Sequence, residues 1–153
     1  MNEKIFTTAF NRSIRRYLID IKKTKNFVLH KISDESRDQK PADVVFFYDY
    51  KWWLLEYKIH KKSTAFAFDK VETHQIDNLD RAKRSWNHWY LIINVNIWRK
   101  KWENFTCIFD IRTWQEILKE SEKKSIKLDK MKEECNFCIE KEGGLWNVKE
   151  WLG

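Results

Sequence analysis

Proline occurs once, as Pro41, and glycine three times, too few to build a flexible linker, and no internal repeat or low-complexity tract divides the chain. Residues 1–153 therefore read as one unit. No run of about 18 apolar residues is present, so a membrane-spanning helix is not expected. The opening "MNEKIFTTAF" lacks the basic segment and apolar core of a secretion signal. An intracellular, cytoplasmic protein is expected, in which the three cysteines, Cys107, Cys135 and Cys138, are reduced thiols. "CNFC" at 135–138 has the spacing of half a zinc site. A structural zinc takes four ligands, however; no second cysteine pair exists, and His30, His60, His74 and His88 all lie upstream, so zinc is not expected. Nor does any GxSxG-like setting point to a serine or cysteine nucleophile.

Aromatic and charged residues are abundant instead. Nine Trp, ten Phe and five Tyr lie within a 42% hydrophobic composition, and 35% of the residues are charged. That is ample to fill a core and cover it. A chain of this length buries roughly 68–70% of its unfolded surface, so disulfides are not needed. The net charge of +7 favours polyanionic partners without telling DNA from RNA.

Phe6, Phe10, Ile14, Tyr17, Leu18 and Ile21 recur at spacings of three and four, which predicts an amphipathic helix over 4–23 with a basic outer face. "NFVLHKI" reads as a short strand and "SDESRDQK" as a polar loop, with Lys40 held extended by Pro41. "DVVFFY", a turn at "DYK" and "WWLLEYKI" read as a β-hairpin. Trp52 and Trp53 must then face opposite ways, one into the core and the other toward a helix or a partner subunit. A helix is expected over "KVETHQIDNLDRAKRS", strands at "HWYLIINVN" and "NFTCIFD", and a helix "IRTWQEILKE" capped by Asp110. The last thirty or so residues carry no clear pattern. This order predicts an α/β (α+β) fold with a central mixed β-sheet flanked by helices.

Within the hairpin's second strand, Glu56 and Lys58 project to one side while Leu55 and Tyr57 project to the other. Desolvating an ion pair can cost more than its attraction returns, so bare stabilisation is a poor reason for placing one in an apolar strand. An edge strand with a wet face is the structural alternative. Asp43 opens the preceding strand and could lie near Glu56 across the ladder. Two carboxylates and an ammonium at a strand end are the parts of a hydrolytic Mg²⁺ site: hard oxygens hold the ion, which activates water and screens phosphate, and the lysine stabilises developing charge.

"PAD" at 41–43 followed by "EYK" at 56–58 resembles the PD-(D/E)xK nuclease signature. The stretch "EYKIHKKSTAFAFDKVETHQIDNL" is similar to the recombination protein U family of Holliday junction resolvases, with Thr64, Phe66, His74 and Gln75 in the family's order. "NRSIRRYL" and "KKSIKLDKM" extend the resemblance loosely toward both ends. It implies a restriction-endonuclease-like core forming a single nuclease domain over 1–153. Divalent metal would sit on Asp43, Glu56, Gln75 and the Tyr57 backbone carbonyl, Mg²⁺ being expected and Mn²⁺ an alternative. Lys58 would be the catalytic lysine, and His74 would contact phosphate or support the site. Two departures stand out. Pro41 occupies a position where a threonine often contributes, and the segment before Asp43 is shorter than the family's stalk-like insertion.

The implied activity is metal-dependent cleavage of branched DNA by paired, symmetric nicks. A two-fold four-way junction implies a homodimer. Arg15, Arg16, Lys61, Lys62, Thr64, His74, Lys83 and Arg84 are the candidates for DNA contact. Two further readings stand beside it: a nuclease of the same core acting on duplex or flap DNA in repair or restriction, and a non-catalytic basic DNA-binding module.

Overall fold

The periodic N-terminal segment forms α1 (Glu3–Arg16), started by Asn2, whose side-chain oxygen accepts the Ile5 N–H at 2.9 Å. Phe6, Phe10 and Ile14 are fully buried along its inner stripe. Glu3 in the first turn and Arg15 and Arg16 in the last suit the helix dipole. The helix continues through a wider turn, Tyr17–Ile21, in which the Lys22 N–H reaches back to the Tyr17 carbonyl at 3.1 Å. The structure, a computed structural model, describes residues 2–32, 42–71, 77, 81, 88–97 and 104–153.

The strands are β1 (Val28–Lys31), β2 (Val44–Tyr48), β3 (Lys51–His60), β4 (Phe66–Ala67), β5 (His88–Asn96) and β6 (Asn104–Asp110). Next come α2 (Ile111–Glu120), β7 (Ser125–Ile126), α3 (Leu128–Glu134), β8 (Phe137–Ile139), β9 (Lys141–Glu142), β10 (Leu145–Trp146) and α4 (Lys149–Leu152). Six strands make one mixed sheet in the order β1-β2-β3-β5-β6-β8. Its β3–β5 pair is parallel and its other pairs antiparallel. β4 pairs with β7, and β9 with β10, as small separate ladders.

The expected β-hairpin is present. Asp49 and Tyr50 join β2 to β3 with φ of 53° and 61°, the paired left-handed conformation that matches the twist of the flanking strands and usually recruits Asn-Gly. Asp110 caps α2 as expected, accepting the Arg112 N–H at 2.8 Å. Of the helix expected over 70–85, Lys70, Val71, Asp77 and Arg81 are described: Asp77 and Arg81 are helical, but Lys70 ends a short 3-10 turn, Phe68–Lys70, and Val71 is extended, so no helix begins at Lys70. Lys40 and Pro41 lie outside the described residues.

Strand alternation splits the core into two apolar layers. On one face α1 and the C-terminal Trp146, Val148, Trp151 and Leu152 cover Leu55, Tyr57, Tyr90, Ile92 and Ile108. On the other, Phe66, Trp114 and Met131 cover Leu54, Leu91, Ile93, Cys107 and Phe109. Each fully buried aromatic or branched side chain contributes about 1.5–3 kcal/mol of transfer free energy. Trp53 joins the first layer at 8% exposure, and Trp52 on the opposite face stays 44% exposed against Phe47. The sequence called for this opposition of the two tryptophans.

Candidate active site

β3 lies between β2 and β5. The edge-strand explanation for a charged pair is therefore removed: Glu56 is 3% exposed in the middle of the sheet. Lys58 Nζ stands 3.7 Å from Glu56 Oε1, and its side chain is 17% exposed. Both project to the face of Leu54, opposite Leu55 and Tyr57, as period-two alternation requires.

Asp43 immediately precedes β2, whose first residue, Val44, pairs with Leu55 beside Glu56. Its backbone is fixed on both sides. The Asp43 N–H donates to the Leu55 carbonyl at 3.1 Å, and the Ile32 N–H donates to the Asp43 carbonyl at 2.8 Å. Its carboxylate accepts the Tyr57 N–H at 2.9 Å. That bond aims one carboxylate oxygen at the β3 backbone between Glu56 and Lys58.

Only the backbone of Tyr57 belongs to this cluster. Its ring is buried in the opposite layer, 5.8 Å from Phe6 and 5.7 Å from Phe10 between ring centres. Its hydroxyl donates to Asn11 Oδ1 at 2.7 Å. Burial first, then the charge of Asp43, push the phenol well above 10, with Arg15 opposing. Tyr57 is therefore a neutral structural post that joins α1 to the strand carrying the acid and the lysine.

Lys61 and Lys62 are exposed just beyond β3, and the exposed Thr64 turns the chain back. His60, which the sequence reading had only as one of four unclustered histidines, organises this turn. It is 1% exposed on the Glu56 side of β3. Its Nε2 lies 2.7 Å from the Thr64 carbonyl, and its Nδ1 lies 2.8 Å from Lys70 Nζ. A neutral ring that donates from Nε2 and accepts at Nδ1 satisfies both contacts. Burial is the main reason that its pKa falls below 6.5. Alternation from Glu56 through Lys58 to His60 was the available signal; the partners, Thr64 and Lys70, were not legible.

Arg15 and Arg16 are placed differently from the other candidates. α1 covers the sheet face opposite Glu56 and Lys58, and Arg15 donates to the Leu29 carbonyl at 2.9 Å, tying the helix to β1. Arg16 makes an exposed ion pair with Asp20 at 3.6 Å. Gln75, His74, Lys83 and Arg84 lie outside the described residues.

Asp43 and Glu56 offer hard, acceptor-only oxygens on adjacent strands, one of them deeply buried and beside an ammonium. That donor chemistry fits a hard divalent cation better than it fits a soft one. In such a setting the carboxylates could hold the ion and Lys58 could face a bound anion. No helix among the described residues is long and apolar enough to cross a membrane.

No protein-family model matches the chain, and no curated protein matches it. Among solved structures it is similar to Hjc, a Holliday junction resolvase from the archaeal hyperthermophile Archaeoglobus fulgidus. The TM-score is 0.39 and the identity 18%, over 67% of this chain and 76% of that one. A likeness of that size leaves the chemistry to the geometry of Asp43, Glu56 and Lys58.

Proposed function

We propose that this chain is a divalent-metal-dependent endodeoxyribonuclease that resolves four-way DNA junctions by paired nicks, acting as a homodimer in which each single-domain protomer supplies one site. The observation that carries the reading is the Glu56–Lys58 pair, 3.7 Å apart on a central strand, with Glu56 buried and Lys58 partly so. Asp43 is anchored across from it by the Tyr57 N–H. A charged pair at that position is costly as mere packing, whereas acid, acid and lysine on two adjacent strands suit phosphodiester hydrolysis. The "EYKIHKKSTAFAFDKVETHQIDNL" resemblance supports the junction as substrate and Gln75 as a further oxygen donor.

Asp43, Glu56, Gln75 and the Tyr57 carbonyl would hold the ion, Mg²⁺ or Mn²⁺. When bound, the ion supplies Lewis acidity and screens phosphate charge. The chain's own residues do the rest. The Tyr57 N–H fixes the Asp43 carboxylate, the apolar layer under β3 keeps bulk water from the back of the site, and Lys58 places positive charge where the phosphate gains negative charge. Lys61 and Lys62 extend that positive charge along the DNA backbone, so binding weakens as salt rises.

Nicking of a synthetic four-way junction with and without Mg²⁺, beside flap and linear duplex DNA at equal concentration, tests the reading. Selective, Mg²⁺-dependent nicking of the junction is expected. Full activity in Asp43→Asn or Lys58→Ala would overturn the mechanism. Equal cutting of linear duplex would overturn the substrate.

A further inference from the structure

Across the sheet from β3, on the same face, three sulfurs converge. Cys107 in β6 is the register partner of Cys138 in β8. Cys135 ends α3 in an extended conformation, its N–H bonded to the Met131 carbonyl at 3.1 Å. Asn136 between the two clamps this knuckle to the sheet. Its N–H donates to the Ile108 carbonyl at 3.0 Å, and its Oδ1 accepts the Asp110 N–H at 2.7 Å. The three Sγ atoms lie within 4.8 Å of one another, with Cys107 fully buried and the other two half-buried. A third sulfur for the CNFC pair is thus supplied by Cys107, from a strand distant in sequence.

We propose that Cys107, Cys135 and Cys138 form a three-thiolate site for a thiophilic divalent cation of the zinc class, which fastens the edge strand β8 and the end of α3 to β6. A Zn–S length of about 2.3 Å in a tetrahedron sets the sulfurs about 3.8 Å apart, so closing the triangle takes shifts of about an ångström or less. The Cys-x₂-Cys turn is the spacing that presents two sulfurs to one such ion. No further His, Cys or carboxylate joins the cluster among the described residues, so solvent takes the fourth position, reached past the half-buried pair. On binding, three S–H bonds break, the protons pass to solvent, and three sulfur–metal bonds form with no change of oxidation state. The positive charge of Lys132, in the last turn of α3, offsets part of the resulting negative charge. Soft sulfur here and hard oxygen at Asp43 and Glu56 select different ions, so this site stands independently of the nuclease reading.

The test is metal content and Co²⁺ spectroscopy on the full chain, purified under reducing conditions without chelator. One zinc per chain is expected, as is a near-ultraviolet thiolate-to-Co²⁺ charge-transfer band. Cys135→Ser and Cys138→Ser, both at half-exposed positions that leave folding intact by circular dichroism, should lose the band and weaken Co²⁺ binding by roughly 100-fold or more. Asp43→Asn should keep both the zinc and the band. Absence of zinc and of the band in the wild type, their persistence in both serine variants, or an intact mass showing a disulfide would each overturn the proposal.

Discussion

Replacing Lys58 by methionine keeps most of its volume and removes its charge, leaving Glu56 without its lysine partner in the middle of the sheet. At 3.7 Å and an effective dielectric constant of about 20, the attraction lost is about 4.5 kcal/mol. Desolvation of the carboxylate and the ammonium, several kcal/mol for each ion, opposes it. The net contribution of the intact pair is therefore near zero or unfavourable. The single variant should still lose roughly 3–5 kcal/mol, because a buried carboxylate loses the ammonium beside it. For a chain of this size that lowers the midpoint of thermal unfolding by roughly 6–20 °C. Glu56→Gln should cost less, since the Lys58 side chain, 17% exposed, can turn its ammonium to water. The double variant Glu56→Gln/Lys58→Met should regain most of the loss and match or exceed the wild type. Urea unfolding followed by tryptophan fluorescence measures all four proteins, and junction nicking measured in parallel should fall by at least 100-fold in each variant. A wild type more stable than the double variant by several kcal/mol, with nicking preserved, would refute the reasoning and make the pair structural.

Asp43→Asn keeps an oxygen to accept the Tyr57 N–H, so stability should change by less than about 1 kcal/mol while Mg²⁺-dependent nicking falls by at least 100-fold; thermal melts and gel assays separate the two. Tyr57→Phe removes the 2.7 Å hydrogen bond to Asn11 and should cost about 1–3 kcal/mol of stability in urea unfolding, with nicking retained because the hydroxyl lies on the α1 side. His60 has its pKa lowered from 6.5, chiefly by burial, so the unfolded chain takes up its proton first as pH falls. Its contribution is full above pH 6.5 and declines below that value. Urea midpoints at pH 5 and 7.5 should differ less in His60→Gln, the remaining difference including His88, which is shifted in the same direction. Tyr50→Gly relieves a left-handed residue at the β2–β3 turn and should stabilise the chain by about 0.5–1 kcal/mol in the same assay.

Local physics wrote much of the fold into the sequence. A stripe at three-and-four spacing with Asn2 ahead of it specifies α1, and Asp110 ahead of "IRTWQEILKE" specifies α2, because each signal acts within one or two helical turns. The same holds for the faces of β3: alternation alone sends Trp53, Leu55 and Tyr57 one way and Leu54, Glu56 and Lys58 the other. The residues after Glu120 were not legible, since elements of two to seven residues are too short to show a period.

The acid, acid and lysine of the candidate site were also present as types and spacings. Tertiary structure alone decided their setting. Parallel pairing with β5 makes β3 a central strand, which buries the Glu56 carboxylate of the pair and gives it a desolvation cost. Pairing of β6 with β8 also decides that Cys107 meets Cys138 and Cys135, and the packing of α1 on the sheet decides that Arg15 serves the Leu29 carbonyl. Those contacts depend on which elements lie beside which, a property of the whole chain that no local run of residues encodes, whereas His60 meets Thr64 and Lys70 within ten residues through the turn after β3.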